Sequence, residues 1–270
     1  MLKVLIILFV PIFLIGQNNV CFEIEQNNSG IQALSLFPKY VNVLDCIHIY
    51  AEQSISDSKV LHAAAIAAEL LDNDEDGIID DENVKNELMS LYTIMPLFAY
   101  EGSSAEDMLF DNFEDLKENN NFCAGAVLYN NEIDPYSPGF WGNDASVEEV
   151  LHTINNCSHV EIYPDVFGLD PNSSDMSAAM DVARGGQFFS IPNSYPEEGW
   201  YHYDDWTCDY QCMAIEYLYW CIVANMGLLD NNMICGGIYD EWELCTPQEF
   251  ESTDILMHTI ITNPEYKIPQ

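Results

Sequence analysis

A short acidic turn between two helical runs limits the fold of this chain more than any other stretch. Residues 59–71 are rich in alanine and contain no glycine or proline, which favours a helix that packs closely on a neighbour. Residues 84–92 form a second helical run, and the acidic stretch 72–83 separates the two with Gly77 near its middle. The sequence therefore predicts a helix–loop–helix over residues 59–92.

The acidic residues of this turn have the spacing of a calcium loop. Asp72, Asp74 and Asp76 alternate along the chain, Gly77 follows, and Asp80 comes three residues later. The turn resembles an EF-hand loop, in which alternating oxygen ligands surround Ca²⁺ and a glycine makes the bend. The resemblance implies that Ca²⁺ is held by these four aspartates and by the backbone carbonyl of Ile78.

The loop departs from the EF-hand pattern at its last ligand. Asn83 stands where a bidentate glutamate is expected, and Glu82 comes one residue early, which predicts a lower calcium affinity. A single loop without a paired hand indicates a structural calcium site and not a sensor. The alternative is a solvated acidic turn that binds no ion.

A second set of candidate ligands lies in residues 144–154. Read as a helix, this stretch places Glu148 and His152 one turn apart on one face. Glu149 lies about 100° further around the helix axis. The sequence Glu-Glu-x-x-His resembles the His-Glu-x-x-His helix of the zincin metallopeptidases, with Glu148 in the place of the first histidine.

In zincins the two outer residues of this motif hold a metal, and the inner glutamate is the general base. The resemblance implies that Glu148 and His152 are metal ligands and that Glu149 is the base. A glutamate in place of a histidine adds negative charge, which lowers the Lewis acidity of the metal. It also shifts the preference from Zn²⁺ towards Mn²⁺, Fe²⁺ or Ca²⁺.

The resemblance also implies a third ligand. Zincins of the gluzincin type take it from a glutamate on a downstream helix, and Glu216 is an acid inside an otherwise apolar helical run, 211–226. A buried carboxylate is costly unless it is paired or bound to a metal. His159 and Asp181 are alternative third ligands.

Further site residues follow from the rarity of positive charge in this chain. Arg184 is its only arginine, and in so acidic a protein we expect its guanidinium to serve one defined carboxylate. Arg184 would have a catalytic role if its partner were Glu149, Glu216 or a substrate carboxylate. If its partner were Asp181, the two would form only an ion pair within one helix. Tyr203, with its neighbours Tyr201 and His202, is a candidate donor to an oxyanion, or else part of an aromatic core.

The motif also has an interpretation without metal. Ser146 and Glu149 have the spacing of a capping box, and acidic residues in a first turn are favoured by the helix dipole. Glu148 and Glu149 would then need no metal, and His152 would be an ordinary half-buried histidine.

Charge and composition narrow the set of partners. The chain has 45 acidic residues against 7 lysines and arginines, a formal net charge of −38 at pH 7. This charge makes nucleic acids and anionic membranes poor partners, and it suits divalent cations. Hydrophobic residues make up 49% of the chain, which predicts a folded core and not a disordered acidic tail.

The N-terminus and the cysteines predict secretion. Residues 1–16 have the features of a signal peptide: Lys3, an apolar run too short to span a bilayer, and Gly16 before a polar stretch. No later stretch is long and apolar enough for a membrane span. The chain has nine cysteines, so we expect disulfides with at least one cysteine left over.

Together these features predict a single secreted α+β domain over residues 17–270, mostly helical with a small zincin-like sheet. The sequence also predicts a buried strand over residues 122–129, a loop over 133–143, and a helix that starts at a capping box at Thr246 and runs to about residue 262. The domain would contain the calcium loop within 59–92 and a metallohydrolase core within 122–226, acting on peptide or protein substrates. The alternative is a non-catalytic acidic calcium-binding protein of the extracellular matrix or cell surface, or a pseudo-peptidase.

Overall fold

A computed structural model describes residues 22–136 and 144–270 of the chain. The predicted signal peptide, residues 1–16, and the end of the predicted loop 133–143 lie outside the described residues, as does Cys21.

The described residues form a five-stranded sheet and twelve α-helices. The strands are β1 (Glu25–Gln26), β2 (Lys39–Val43), β3 (Ile47–Ala51), β4 (Ile94–Phe98) and β5 (Leu128–Tyr129). The helices are α1 (Asp57–Leu71), α2 (Glu82–Ser90), α3 (Ser104–Asp111), α4 (Phe113–Asn120), α5 (Ser146–Ile154), α6 (Val160–Ile162), α7 (Pro164–Phe167), α8 (Asp175–Ala183), α9 (Tyr210–Asn225), α10 (Asn232–Ile238), α11 (Pro247–Thr253) and α12 (Ile255–Ile261). The predicted α+β class is confirmed.

The sheet is mixed, and its strands follow the order of the chain. β1, β2 and β3 are antiparallel neighbours, whereas β3, β4 and β5 run parallel. Parallel neighbours need a crossover connection. The crossover from β3 to β4 consists of α1, the acidic loop and α2, so the predicted helix–loop–helix connects two adjacent strands.

Both faces of the sheet are covered. Along β4, Met95 and Leu97 point into the larger core, whereas Ile94 and Phe98 point into a smaller one, as expected from the two-residue repeat of a strand. The larger core also holds α1, α5, α8 and α9. α9 is its central helix, because it packs against α5, α8, α11 and α12.

Two elements differ from the sequence prediction. A strand was expected over residues 122–129, but only Leu128–Tyr129 pairs in the sheet, with one isolated bridge between Thr93 and Cys123. The helix that starts at the predicted Thr246 capping box ends at Thr253 instead of continuing to residue 262. Asp254 breaks it, and α12 begins directly afterwards.

Three disulfides join Cys123 to Cys157, Cys208 to Cys212, and Cys235 to Cys245. Cys46 and Cys221 are free and buried. The expectation of disulfides is therefore confirmed. Within the described ranges, no helix is long and apolar enough to cross a membrane.

Candidate metal centre

Helix α5 carries the Glu-Glu-x-x-His motif, and an aspartate fixes its start. The predicted capping box of Ser146 and Glu149 does not form, because the cap position is Ala145 and has no side-chain hydrogen bond. Instead the Asp144 carboxylate accepts a bond from the Ser146 hydroxyl at 2.7 Å and pairs with His62 Nε2 at 2.8 Å. His62 belongs to α1, so the crossover helix is tied to the start of the motif helix.

The structure brings His152 and Glu216 together from two different helices. His152 is buried, and its Nε2 lies 3.5 Å from Glu216 Oε2. This nitrogen has no hydrogen-bond partner. The separation exceeds the usual range of an N–H···O bond. It is close to the roughly 3.3 Å that separates two ligand atoms bound about 2.0–2.1 Å from one tetrahedral zinc.

The two glutamates of the motif differ in their relation to this pair. Glu149 Oε2 lies 3.7 Å from His152 Nδ1, the other ring nitrogen. The Glu148 carboxylate does not complete a tight triad: the set of described residues with three ligand atoms all within 4.8 Å of one another is in the acidic loop. Glu148 would join His152 and Glu216 only after its side chain turned towards them.

The electrostatics of the pair match a cation site. Burial alone would lower the pKa of His152, but the carboxylates of Glu216 and Glu149 outweigh it and hold that pKa well above its ordinary value. Burial, reinforced by the Glu216 charge, raises the pKa of Glu148 to about 8. The carboxylates therefore favour one positive charge among them, carried either by the imidazolium of His152 or by a bound cation.

Two residues that the sequence analysis missed also face this cluster. The ring of Tyr219, one turn beyond Glu216, meets the His152 ring edge-on at 5.7 Å. Burial, with the charges of Asp204 and Glu216, raises the pKa of Glu241 to about 7. Helical spacing from Glu216 would have indicated Tyr219, whereas Glu241 lies in a loop after α10 and no local pattern indicates it.

Tyr203 is partly buried beside these carboxylates. Burial, followed by the charges of Glu216 and Glu241, raises the pKa of its phenol. The phenol is therefore protonated at neutral pH and is able to donate. Tyr201 is different, because its hydroxyl is buried and already donates to the backbone carbonyl of Met213 at 2.7 Å.

The structure does not bring Arg184 to the metal centre. Its Nη1 donates to the carbonyl of Phe188 at 2.8 Å, and no described carboxylate lies within salt-bridge distance of it. The alternative partner Asp181 instead accepts bonds from Tyr210 and Gln187.

The ring nitrogens of His159, an alternative third ligand, have hydrogen-bond partners outside the metal centre. It ends the π-helical turn that follows α5, with Nδ1 3.0 Å from the Asn155 side chain and Nε2 3.3 Å from the Tyr266 carbonyl. It packs against the ring of Phe167. Burial lowers its pKa from 6.5 to about 4, so it is neutral at physiological pH.

This buried histidine predicts a loss of stability in acid. The pKa of His159 is lower in the folded than in the unfolded state. His159 is therefore protonated below about pH 6.5 in the unfolded chain but only below about pH 4 in the folded chain. Stability is thus present above pH 6.5 and is lost as pH falls towards 4. Between pH 6.5 and 4, the free energy of unfolding should fall by roughly 3 kcal/mol more in wild type than in His159→Gln, as measured by denaturant unfolding. Parallel curves would contradict this assignment.

A close backbone contact supports α5 from behind. A Cβ on Gly125 would lie 2.6 Å from the Cα of Thr153 and 2.9 Å from the carbonyl oxygen of His152. The Cys123–Cys157 disulfide joins the same two segments. Residues 122–126 therefore lie directly against the half of α5 that carries His152.

We expect Gly125→Ala to lower the free energy of unfolding by about 1–3 kcal/mol, because backbone atoms cannot move aside cheaply. Gly236 is a matched control, since a Cβ there meets nothing within 4 Å and the residue lies inside α10. Gly236→Ala should be neutral or stabilise by up to about 1 kcal/mol. Equal denaturation midpoints for both variants would show that the contact is not tight.

The acidic loop forms a second cluster of oxygen atoms. Ligand atoms of Asp72, Asp74 and Asp80 all lie within 4.8 Å of one another, a spacing that fits the 2.3–2.6 Å bonds of Ca²⁺. Gly77 has a φ of +86° and donates its N–H to Asp72 at 2.7 Å, which folds the loop around that carboxylate. The charge of Asp76 raises the pKa of Asp74.

The remaining predicted ligands of this loop are Asp76 and the backbone carbonyl of Ile78. The Asp76 carboxylate accepts the N–H of Ile78 at 2.8 Å and is not part of the convergent set. Ile78 is exposed and Ile79 is buried, as expected for a loop whose seventh position offers its backbone. Asn83, in the first turn of α2, donates its N–H to Asp81 at 2.7 Å.

No protein-family model, curated protein or solved structure matches this chain. The likenesses to zincins and EF-hands therefore stay predictions that rest on short motifs.

Proposed function

We propose that this protein is a secreted, calcium-stabilised metallohydrolase that cleaves peptides. The observation that carries this proposal is the pair of His152 Nε2 and Glu216 Oε2. A buried nitrogen without a hydrogen bond lies 3.5 Å from a carboxylate oxygen on another helix. Two ligands of a single metal ion have this separation, and it also lies within the range of an ion pair between a protonated His152 and Glu216.

The donor set suits a divalent metal. Glu148, His152 and Glu216 would hold it, and their two negative charges would balance those of the ion. Imidazole with carboxylates suits Zn²⁺ and also Mn²⁺ or Fe²⁺. A carboxylate beside the second nitrogen of a ligating histidine is common in metal sites, and Glu149 lies at that nitrogen of His152.

The chemistry would divide between the metal and the surrounding side chains. A bound metal supplies Lewis acidity, which polarises a carbonyl and makes water more acidic. The Glu149 carboxylate lies 3.7 Å from His152 Nδ1 and would turn from that nitrogen towards the attacking water, accept its proton and deliver it to the leaving amine. Protonated phenols at Tyr203 and Tyr219 would donate to negative charge that develops on the carbonyl oxygen.

The acidic loop has a structural part in this proposal. Ca²⁺ at Asp72, Asp74 and Asp80 would fix the connection between α1 and α2, with Asp76 and the Ile78 carbonyl as further ligands. Because α1 packs on α5 and pairs with it through His62 and Asp144, a rigid loop would also stabilise the metal helix. The three disulfides support secretion, because such bonds persist in oxidising compartments.

A second function is favoured by one observation. The tight set of three ligand atoms in the described residues belongs to the calcium loop and not to the His152 site. A non-catalytic, acidic, calcium-binding extracellular protein would have this arrangement.

Peptide cleavage separates the two functions. The protein, loaded with zinc or manganese, is incubated with a diverse peptide library in the presence of calcium. We expect cleavage that stops with 1,10-phenanthroline, which removes transition metals but leaves calcium, and that returns when zinc is restored. No cleavage under any metal condition, with the calcium site filled, would favour the non-catalytic function.

A further inference from the structure

Arg184 is a buried positive charge with no described counter-charge. It is the only arginine in the chain and follows the last residue of α8. Its side chain is fully buried. Elsewhere the protein carries a large excess of carboxylates, yet no described one lies within salt-bridge distance of this guanidinium.

The guanidinium is satisfied on one edge and unsatisfied on the other. Nη1 donates to the Phe188 carbonyl, but Nε and Nη2 have no hydrogen-bond partner. The rings of Phe188 and Tyr195 flank it, with centroids 5.2 Å and 5.5 Å from its central carbon. Burial raises the pKa of Tyr195, although hydrogen bonding to Arg184 and the charge of Arg184 lower it; this neutral phenol is a polar neighbour of the guanidinium and supplies no counter-charge.

An arrangement of this kind is expensive without a ligand. Arginine cannot lose its proton in a protein, and burying an ion without a counter-charge is strongly unfavourable. Nε–H and Nη2–H together form the edge that binds the two oxygens of a carboxylate in parallel. We propose that Arg184 is a carboxylate-binding site, separate from the metal centre and independent of any hydrolytic activity.

The ligand class follows from the charge and the number of donors. Two parallel N–H groups match the two oxygens of one planar carboxylate better than they match a spherical halide. The net charge of −38 opposes a multiply charged anion such as phosphate. A free small carboxylate and the C-terminus of a peptide share this chemistry.

The two rings beside the guanidinium belong to a segment without regular secondary structure. Phe188 and Tyr195 are partly exposed, and both belong to residues 185–199, which contain no helix and no named strand. Gly185, at the start of this segment, has a φ of +71°. We expect displacement of these two rings to expose the guanidinium, because they lie closest to its central carbon among the described aromatic rings.

The single arginine makes the test direct, because the Nε–H region of a ¹⁵N–¹H spectrum contains one arginine signal. The full-length mature protein is titrated with sodium acetate, and separately with sodium chloride at equal ionic strength. N-acetylglycine and its uncharged amide distinguish a peptide C-terminus from a simple carboxylate. We expect the signal to move saturably with acetate or N-acetylglycine, and not with chloride or the amide.

Phe188→Ala removes one covering ring and keeps the guanidinium. If the closed cover limits binding, this variant should bind acetate roughly tenfold more tightly, since more of the protein is open. An unmoved Nε–H signal in both proteins would overturn the proposal. Saturable binding in Phe188→Ala but not in wild type would also overturn it, because the native site would then be closed. An equal shift of the signal with chloride would overturn it as well.

Discussion

Glu149→Gln should retain the bound metal and slow peptide cleavage by about 10²–10⁴-fold, the usual contribution of a general base. Glutamine has nearly the same shape as glutamate, but its amide cannot take a proton from water. The fall should appear in kcat, with little change in KM, because the substituted group acts on protons and not on substrate binding. Initial rates on the best peptide from the library would measure both constants.

The control for this substitution is Glu161→Gln. Glu161 is an exposed glutamate on α6, a few turns beyond the motif, and the change removes the same charge. Its cleavage rate should equal that of wild type. An unaltered rate in Glu149→Gln would contradict the assignment of the base, and an equal fall in both variants would indicate an effect of net charge.

Calcium removal should destabilise the protein, and Asp74→Asn should abolish most of that difference. A ligand that binds only the folded state adds about 2.7 kcal/mol at a hundred times its dissociation constant. Asp74 suits the test because it is exposed and accepts a single backbone N–H, from Asp76 at 3.2 Å, whereas the two oxygens of buried Asp72 accept from Asp76 and Gly77. Denaturant unfolding in calcium and in EGTA gives the increment for each variant.

Glu75→Gln removes a charge from the same loop at a residue outside the convergent ligand set. This variant should keep most of the stabilisation that calcium gives to wild type. The comparison therefore distinguishes direct binding of Ca²⁺ by a carboxylate from general attraction by the negative charge of the loop. Equal increments in wild type and Asp74→Asn would contradict a calcium site at Asp72, Asp74 and Asp80.

Sequence patterns predicted the elements whose causes are local. The alanine-rich run of α1, the glycine of the acidic loop and the Thr246 capping box each lie within a few residues, and all three occur in the structure. Glu216 was found by a different argument. A carboxylate in an apolar helix needs a partner, and the structure supplies His152.

The features that the sequence did not predict have distant causes. Asp254 breaks the expected helix 247–262 because its carboxylate accepts bonds from Tyr217 and Trp200, which lie far away in the chain. Glu241 reaches the carboxylate cluster from a loop that has no recognisable spacing relative to α5 or α9. Arg184 was expected to pair with a carboxylate, yet its guanidinium lies beside the rings of Phe188 and Tyr195.

Metal content tests the central claim most directly. Purified mature protein, His152→Ala and Asp74→Asn are equilibrated with calcium and zinc or manganese, dialysed, and analysed by mass spectrometry. We predict about one transition-metal ion per wild-type chain, lost in His152→Ala and kept in Asp74→Asn. A transition metal that is absent from wild type, or that is retained in His152→Ala, would contradict a metal centre at His152 and Glu216.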